Sequence, residues 1–264
     1  MTVKIFDEFK ENLNKGLPVA LATIIEGPGQ GAKLLILPDG SYLGSLGNKK
    51  IDNVLSRDMA GELAAGRTSI RHYGIEGEAR EETLSIFIES FAPPPQMVIF
   101  GAVDFTAALV RIAKVLGYKV TVCDARPVFA TKARFPQADS VENEWPDQLM
   151  EKLGTSLGPR DAVCVLTHDN KFDVPAITSA LQTQVGYIGV MGSRKTHENR
   201  TERLVEAGVS TKEFERIMSP IGLDLGARTP EETAISICAE IIAMRTGRKA
   251  PHLKTIEGEI HGDR

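Results

Sequence analysis

The sequence predicts an α/β fold: a mostly parallel sheet with helices on both faces, preceded by a small α+β domain. Two observations predict it. After residue 96, short apolar runs alternate with amphipathic segments, which is the pattern of βαβ units. Before residue 92, strands follow one another through tight turns such as Pro38-Asp39-Gly40. The 264 residues are long enough for one large and one small domain.

The first part of the chain combines helices and strands of ordinary length. Ile5, Phe6, Phe9 and Leu13 recur at helical spacing and predict a helix over residues 4–15. Apolar runs bounded by glycine-rich turns predict the strands. The remaining predicted elements are strands at 18–25, 33–37, 41–44, 67–73 and 83–89, with a helix over 50–65.

Three consecutive prolines divide the chain. Ala92-Pro93-Pro94-Pro95 favours a stiff, extended linker, because proline fixes φ and donates no hydrogen bond. After it, strands are predicted at 97–100, 119–123, 162–166 and 186–190, each followed by a helix. The helices are a long one ending at 116, a short one after 123, and two starting near 173 and 194. We therefore predict domains over 1–91 and 96–250, a linker over 92–95 and a polar tail over 251–264.

Composition and charge exclude several classes of function. A net charge of −4 gives no reason to expect nucleic acid or an anionic membrane as partner, and no apolar run is long enough to span a membrane. The charged N-terminus does not resemble a signal peptide. Cys123, Cys164 and Cys238 lie far apart in apolar runs, which predicts buried free thiols, no metal site and a cytoplasmic protein.

The turn after the strand at 97–100 resembles a damaged dinucleotide-binding loop of a Rossmann fold. Gly101 is followed by Ala102, Val103 and Asp104, so two of the three usual glycines are missing. Val103 places a branched side chain where a pyrophosphate would approach, and Asp104 adds negative charge or caps the helix. Two interpretations stay open: a scaffold that has lost its ligand, or binding in an altered pose.

A second strand ends at Asp124, 23 positions after Gly101, about where an acidic residue holds a ribose hydroxyl. Arg126 is close enough in sequence to meet a 2′-phosphate. These residues motivate an alternative function, an NAD(P)-dependent oxidoreductase. No catalytic acid–base pair is evident, so catalytic residues stay unknown.

Two later turns carry glycine next to a possible anion contact. Gly192, Ser193 and Arg194 follow a predicted strand, and together they suit a phosphate. The alternative is an ordinary helix start with an exposed arginine. The second turn leads to Thr229-Pro230-Glu231-Glu232, a capping box, and its Asp224 either pairs with Arg228 or lines the crevice.

Thr167, His168 and Asp169 end another predicted strand, with Asp173 nearby. Histidine titrates near neutrality, so metal binding or acid–base work is conceivable. The alternative is a loop whose following helix is capped by Asp169 or Asp173.

These segments resemble the xanthine dehydrogenase accessory (XdhC/CoxI) family, of which the chain looks like a divergent member. Residues 94–245 are similar to its C-terminal Rossmann domain, and residues 18–50 to its smaller N-terminal domain. The matching segments are Gly101-Ala102, Val122 to Asp124 with Arg126-Pro127, Phe135-Pro136, Val165 to Asp169, Tyr187 to Arg194 and Pro220 to Glu232.

The resemblance implies an accessory protein that helps mature a molybdenum hydroxylase, by binding molybdenum cofactor (molybdopterin) or a nucleotide and assisting its sulfuration or insertion. It implies a hydroxylase client and a sulfurase as partners. Two departures concern the altered glycine loop and the family's Gly-Gly-Cys segment, where this chain has Gly47-Asn48-Lys49. The expected cofactor-binding residues are Gly101, Ala102, Val103, Asp124, Arg126, Thr167, His168, Gly192, Ser193, Arg194 and Asp224.

Two further expectations follow. The small N-terminal domain favours a homodimer, because a small core is hard to stabilise alone. A third functional alternative is a nucleotide-sensing or structural module, in which Val103, Phe105 or Met191 fills the crevice.

Overall fold

The computed structural model describes residues 2–78, 83–153 and 156–257. The chain divides into two compact units, Met1–Pro93 and Pro94–Arg264. The division falls among the prolines at 93–95. No helix in the described ranges is both long and apolar enough to cross a membrane.

The first unit is one antiparallel sheet with a helix on each face. The elements are α1 (Thr2–Asn14), β1 (Val19–Glu26), β2 (Lys33–Ile36), β3 (Tyr42–Ser45), α2 (Lys49–Ala65), β4 (Ser69–Tyr73) and β5 (Leu84–Phe91). The five strands lie in the order β3-β2-β1-β5-β4. Ile5 of α1 packs on one face against Val19, whereas Leu55 and Met59 of α2 pack on the other.

The second unit is a six-stranded, entirely parallel sheet, which confirms the predicted α/β fold. The elements are β6 (Gln96–Phe100), α3 (Asp104–Val115), β7 (Lys119–Cys123), β8 (Ser140–Glu142), α4 (Pro146–Leu153), β9 (Ala162–Val165), α5 (Asn170–Leu181), β10 (Tyr187–Val190), α6 (Arg194–Glu206), α7 (Thr211–Phe214), β11 (Ile217–Met218) and α8 (Pro230–Arg245). The strands lie in the order β11-β10-β9-β6-β7-β8, the doubly wound order of a Rossmann sheet.

Helices cover both faces of this sheet, as predicted. Along β6, Met97 and Ile99 pack into one core with α3 and α8, and Val98 and Phe100 pack into the other with α4, α5 and α6. This alternation follows from the two-residue period of a strand. Each face is therefore apolar, which explains the continuous hydrophobic runs of the strands.

Three sequence-based expectations need correction. The short helix predicted between the strands at 119–123 and 162–166 is present as α4, but it does not begin directly after β7: residues 124–139 form turns, consistent with the breaks that Pro127 and Pro136 impose. The helix predicted from about 173 begins at Asn170, because Asp169 is its N-cap. The tail predicted as loose contains a single 3₁₀ turn, Leu253–Thr255, and residues 258–264 lie outside the described chain.

Candidate functional site

The strand order creates a crevice where the carboxyl ends of β6, β9 and β10 meet. The helix after β6 packs on one face of the sheet and the helix after β9 on the other, so the loops diverge between them. The Leu166 amide bonds the Phe100 carbonyl at 2.8 Å, and the Met191 amide bonds the Val165 carbonyl at 2.8 Å. Open α/β sheets bind ligands at such a point.

Gly101 is the residue that lets β6 and β9 end so close together. Its φ is +109°, and a Cβ there would lie 2.7 Å from Thr167 Cγ2 and 2.9 Å from the Thr167 amide nitrogen. Both the backbone conformation and the close approach therefore require glycine. Thr167 itself is buried, so it supports the turn from behind.

The amides of the turn after Gly101 are already hydrogen-bonded within the protein. Ala102 N donates to Asp124 Oδ2 at 2.8 Å, and Val103 N donates to Thr106 Oγ1 at 3.3 Å. The Thr106 hydroxyl donates in turn to the Gly101 carbonyl. A pyrophosphate in the usual dinucleotide pose needs such amides free.

Asp104 does not cap the helix, contrary to one of the sequence-based expectations. Val103 occupies the N-cap position and Asp104 is the first residue of α3. The Asp104 carboxylate is 94% exposed and lies 3.9 Å from Arg134 Nη2. It therefore adds negative charge beside this turn, which disfavours an anionic ligand there.

Asp124 is buried and bonded on both carboxylate oxygens. Oδ1 accepts from the Arg126 amide and Nε, each at 2.9 Å. Oδ2 accepts from Arg126 Nη2 and from Ala102 N, each at 2.8 Å. Burial opposes ionisation, yet these bonds hold the pKa of Asp124 below its ordinary value. Four accepted bonds leave little capacity for a ribose hydroxyl.

The turn between β10 and α6 has a different arrangement. Gly192 adopts φ +153°, and Ser193 caps α6 by accepting from the Thr196 amide at 3.2 Å. No acceptor for the Gly192 and Ser193 amides occurs within the described chain. The N-terminus of a 13-residue helix favours an anion at this place. Arg194 begins α6, but its side chain lies outside the described structure.

A cavity of about 360 Å³ opens at this turn. The structure brings three of the predicted residues together here, His168, Gly192 and Ser193, whereas Asp124 and Arg126 lie at the end of β7. Long-range neighbours that carry no local sequence signal complete the lining. The remaining lining residues are Phe105, Met191, Pro220, Ile221 and Thr233.

Asp224 does not line this cavity. It is exposed on the loop before α8, and no ion pair to Arg228 occurs in the described chain. The predicted capping box next to it is confirmed: Thr229 Oγ1 accepts from Glu232 N at 3.2 Å, and Glu232 Oε2 accepts from Thr229 N at 3.1 Å.

A buried ion pair lies behind the cavity. Arg200 Nε and Nη2 donate to Asp173 Oδ2 at 3.1 and 2.8 Å, and Nη2 also donates to the Met191 carbonyl at 2.9 Å. The Thr167 hydroxyl donates to Asp173 Oδ1. Burial raises the pKa of Asp173, against the opposite effects of Thr167 and Arg200. This network ties the ends of β9 and β10 together.

The structure confirms one predicted role in the 167–169 segment, the capping of the following helix. Asp169 caps α5 through its bond with Lys171 N at 3.1 Å, whereas Asp173 lies inside the helix and pairs with Arg200. His168 is exposed at the cavity. Across the described residues, no group of three or more His, Cys, Asp or Glu side chains is placed to hold a metal ion.

The cysteines are buried free thiols, as predicted. Burial raises the pKa of Cys123 and of Cys238 to about 12, and that of Cys164 well above its ordinary value. Asn48, in the segment that departs from Gly-Gly-Cys, caps α2 through Oδ1, which accepts from Lys50 N at 2.9 Å and from Ile51 N at 3.2 Å.

Two bacterial proteins are similar in sequence to this chain. One, from Bacillus subtilis, is named as a probable xanthine dehydrogenase subunit; it is 35% identical over 62% of this chain and 47% of its own length. Another is the "Molybdenum cofactor insertion chaperone PaoD" of Escherichia coli, 26% identical over 61% of this chain and 44% of its own. The chain therefore spans less than half the length of these curated relatives.

A solved structure extends the likeness to nearly the whole chain. A crystal structure of a xanthine dehydrogenase from Bacillus halodurans covers 93% of this chain and 97% of its own, with a TM-score of 0.55 and 22% identity, which shows the shared fold. The model of the XdhC Rossmann domain matches residues 97–241, and that of the XdhC and CoxI family matches residues 13–74. On these matches, the chain belongs to the XdhC and CoxI family.

Proposed function

We propose that this chain is an accessory protein of a molybdenum hydroxylase, and that it takes molybdenum cofactor as cargo in the cavity beside α6. The observation that carries the proposal is the pair of amides at Gly192 and Ser193, which have no acceptor in the described chain. They lie at a helix N-terminus that borders a cavity of about 360 Å³. The names of two relatives point to the same class of client and cargo.

The chemistry of the cavity suits a phosphorylated pterin. The helix N-terminus favours the terminal phosphate, and the exposed His168 supplies a hydrogen-bonding group. Phe105, Met191 and Ile221 provide apolar contacts for a ring system. The volume lies in the range of small-molecule sites.

The metal and its sulfur would be handled without a thiolate of this chain. All three cysteines are buried, and burial raises each pKa, so none is available as a ligand or sulfur carrier. We infer that the cargo is held through its phosphate and pterin, and that any sulfuration depends on a separate sulfurase. A client hydroxylase, such a sulfurase and a second copy of the chain are the proposed partners.

The oxidoreductase alternative has less support. The amides after Gly101 are bonded to Asp124 and Thr106, and the Asp124 carboxylate is saturated. A nicotinamide dinucleotide would have to bind in an altered pose. The purely structural alternative requires a filled crevice, yet Phe105 and Met191 border open space.

Two measurements test the proposal. The full chain is titrated with molybdopterin and followed by pterin fluorescence, and the loaded chain is then added to an apo-hydroxylase of the xanthine dehydrogenase type. We expect saturable binding and faster activation than with free cofactor. The absence of both binding and accelerated activation would rule out the proposed role.

A further inference from the structure

A second surface lies at the same edge of the parallel sheet, on the side of β7 and β8. Four side chains form it: Arg126 after β7, Phe129, Trp145 after β8, and Phe172 in the first turn of α5. We call these four residues the aromatic shelf. They come from the carboxyl ends of three strands that are distant in sequence.

The shelf is a continuous series of ring and guanidinium contacts. Trp145 and Phe172 lie 5.1 Å apart between ring centroids. The Arg126 guanidinium lies 4.5 Å from the Phe129 centroid and 5.9 Å from the Phe172 centroid. Phe172 is buried, so it anchors the other three from beneath.

The outer members of the shelf, two rings and one cation, are exposed to solvent. Trp145 is 44% exposed and Phe129 is 39% exposed. The Arg126 side chain is 43% exposed. Exposed aromatic surface grouped at one place marks a binding site more often than scattered single residues do.

Arg126 is held in place before any ligand arrives. Its Nε and Nη2 both donate to Asp124, and its plane lies over Phe129. None of the described residues accepts a hydrogen bond from Nη1. An ordered side chain loses little conformational entropy on binding, so this nitrogen is a pre-organised donor.

We propose that the aromatic shelf binds the planar base of a nucleotide in contact with both Trp145 and Phe129, with Arg126 Nη1 donating to a base or ribose acceptor. Aromatic stacking holds a base without any contact to its ribose, and here the Asp124 carboxylate already accepts four hydrogen bonds. The inference rests on the proposed function in one respect: the base would belong to a nucleotide form of the cargo.

Local charges favour a single nucleotide over a nucleic-acid strand. Arg126 is paired with Asp124, and Lys171 beside Phe172 is paired with Asp169 at 3.3 Å. A third cation, Arg134, lies 5.5 Å from the Phe129 centroid and 3.9 Å from Asp104. The surface therefore lacks the excess of cations that a polyanion requires. The net charge of −4 agrees with this assignment.

The sequence supplies its own reporter, because Trp145 is the only tryptophan. The full chain is titrated with CMP, AMP and GMP while tryptophan emission is followed, with excitation at the red edge of the indole band. Ribose 5-phosphate serves as the ligand without a base, and free N-acetyltryptophanamide corrects for absorption. We expect saturable quenching by nucleotides and none by the sugar phosphate.

Two substitutions locate the site. Phe129→Leu keeps an apolar side chain but removes the ring, and it is expected to weaken nucleotide binding about tenfold, as the loss of one stacking contact does. Val128→Ala alters the adjacent residue, which is 79% exposed and has no ring, and it should leave the affinity unchanged.

The outcomes separate this inference from the proposed function. No quenching by any nucleotide up to about 5 mM, a range that covers weak millimolar binding, would overturn the shelf even if molybdopterin binds. Equal nucleotide affinities of the Phe129→Leu and Val128→Ala variants would also overturn the inference. Quenching by nucleotides with no binding of molybdopterin would support the shelf and leave the proposed cargo wrong.

Discussion

Arg200 and Asp173 form a fully buried ion pair, joined by two hydrogen bonds of 3.1 and 2.8 Å. Both side chains are 1% exposed. The pair lies directly behind Met191 and Thr167, so it supports the floor of the cavity without lining it. The ion pair is therefore expected to contribute to the free energy of unfolding and to hold the β10–α6 turn in place.

Removing one member of this pair should be strongly destabilising. Arg200→Met leaves Asp173 buried without its cation, and the expected loss in the free energy of unfolding is about 3–5 kcal/mol. Arg203→Met, at an exposed position of the same helix, should change it by less than about 0.5 kcal/mol. Urea denaturation of both variants measures the difference. A double variant, Arg200→Met with Asp173→Leu, should recover part of the loss, and a loss below that of Arg203→Met would contradict the role.

Gly101→Ala should cost more than backbone strain alone. At Gly117, φ is +80° and a Cβ would meet nothing within 4 Å, so Gly117→Ala reports the strain of positive φ, about 1–2 kcal/mol. At Gly101 the new Cβ also meets Thr167 at 2.7 Å, which adds a steric cost. Thermal or urea unfolding of the two variants should therefore rank Gly101→Ala as clearly less stable. Equal stabilities would show that the two strand ends can separate freely.

Asp124 should make stability depend on pH on the acid side. The pKa of Asp124 is lowered in the folded chain. The ionised carboxylate therefore stabilises the fold at any pH above the unfolded-state pKa, near 3.9, and this contribution is lost as the pH falls through the folded-state pKa. The variant Asp124→Asn should be less stable than the parent at neutral pH, with a gap that narrows in acid. Urea unfolding from about pH 6 to pH 3 measures the gap. Asp224→Asn, at an exposed carboxylate, is the control and should show no such trend.

An anionic residue at the start of α6 should oppose the phosphate without unfolding the helix. Aspartate is as good an N-cap as serine, so Ser193→Asp preserves capping while placing negative charge at the cavity. We expect molybdopterin binding to weaken at least about tenfold, the effect of roughly 1.4 kcal/mol. Ser210→Asp makes the same change at the cap of α7, which does not line the cavity. Equal molybdopterin affinities of the two variants would show that the phosphate does not bind at the start of α6.

The sequence predicted the fold well where periodicity is strong. The strands at 97–100, 119–123 and 186–190 each match an observed strand to within a residue. The short edge strands β8 and β11 were missed, because two or three residues show no period. A short helix was predicted between β7 and β9, but its bounds were not, because α4 spans only eight residues.

The site was predictable only in its local parts. Gly192, Ser193 and His168 follow strand ends in the sequence, and the structure places all three at one cavity. Arg200 lies in a helix so rich in charge that nothing distinguishes it from its solvated neighbours. Pro220 and Thr233 reach the cavity only through long-range packing, and no local pattern carries that information. Whether Thr167, Arg126 and the other predicted residues contact a ligand stays a prediction.

The turn after Gly101 has a consequence for any attempt to engineer this protein. Replacing Val103 by glycine would not by itself create a dinucleotide site, because Ala102 N would still donate its hydrogen bond to Asp124 and the next amide would still donate to Thr106. Freeing those two amides would need further changes, and each would remove a bond that holds the loop in shape. The stability of this turn and its ability to bind a pyrophosphate therefore oppose each other, so a variant that gains one is expected to lose part of the other.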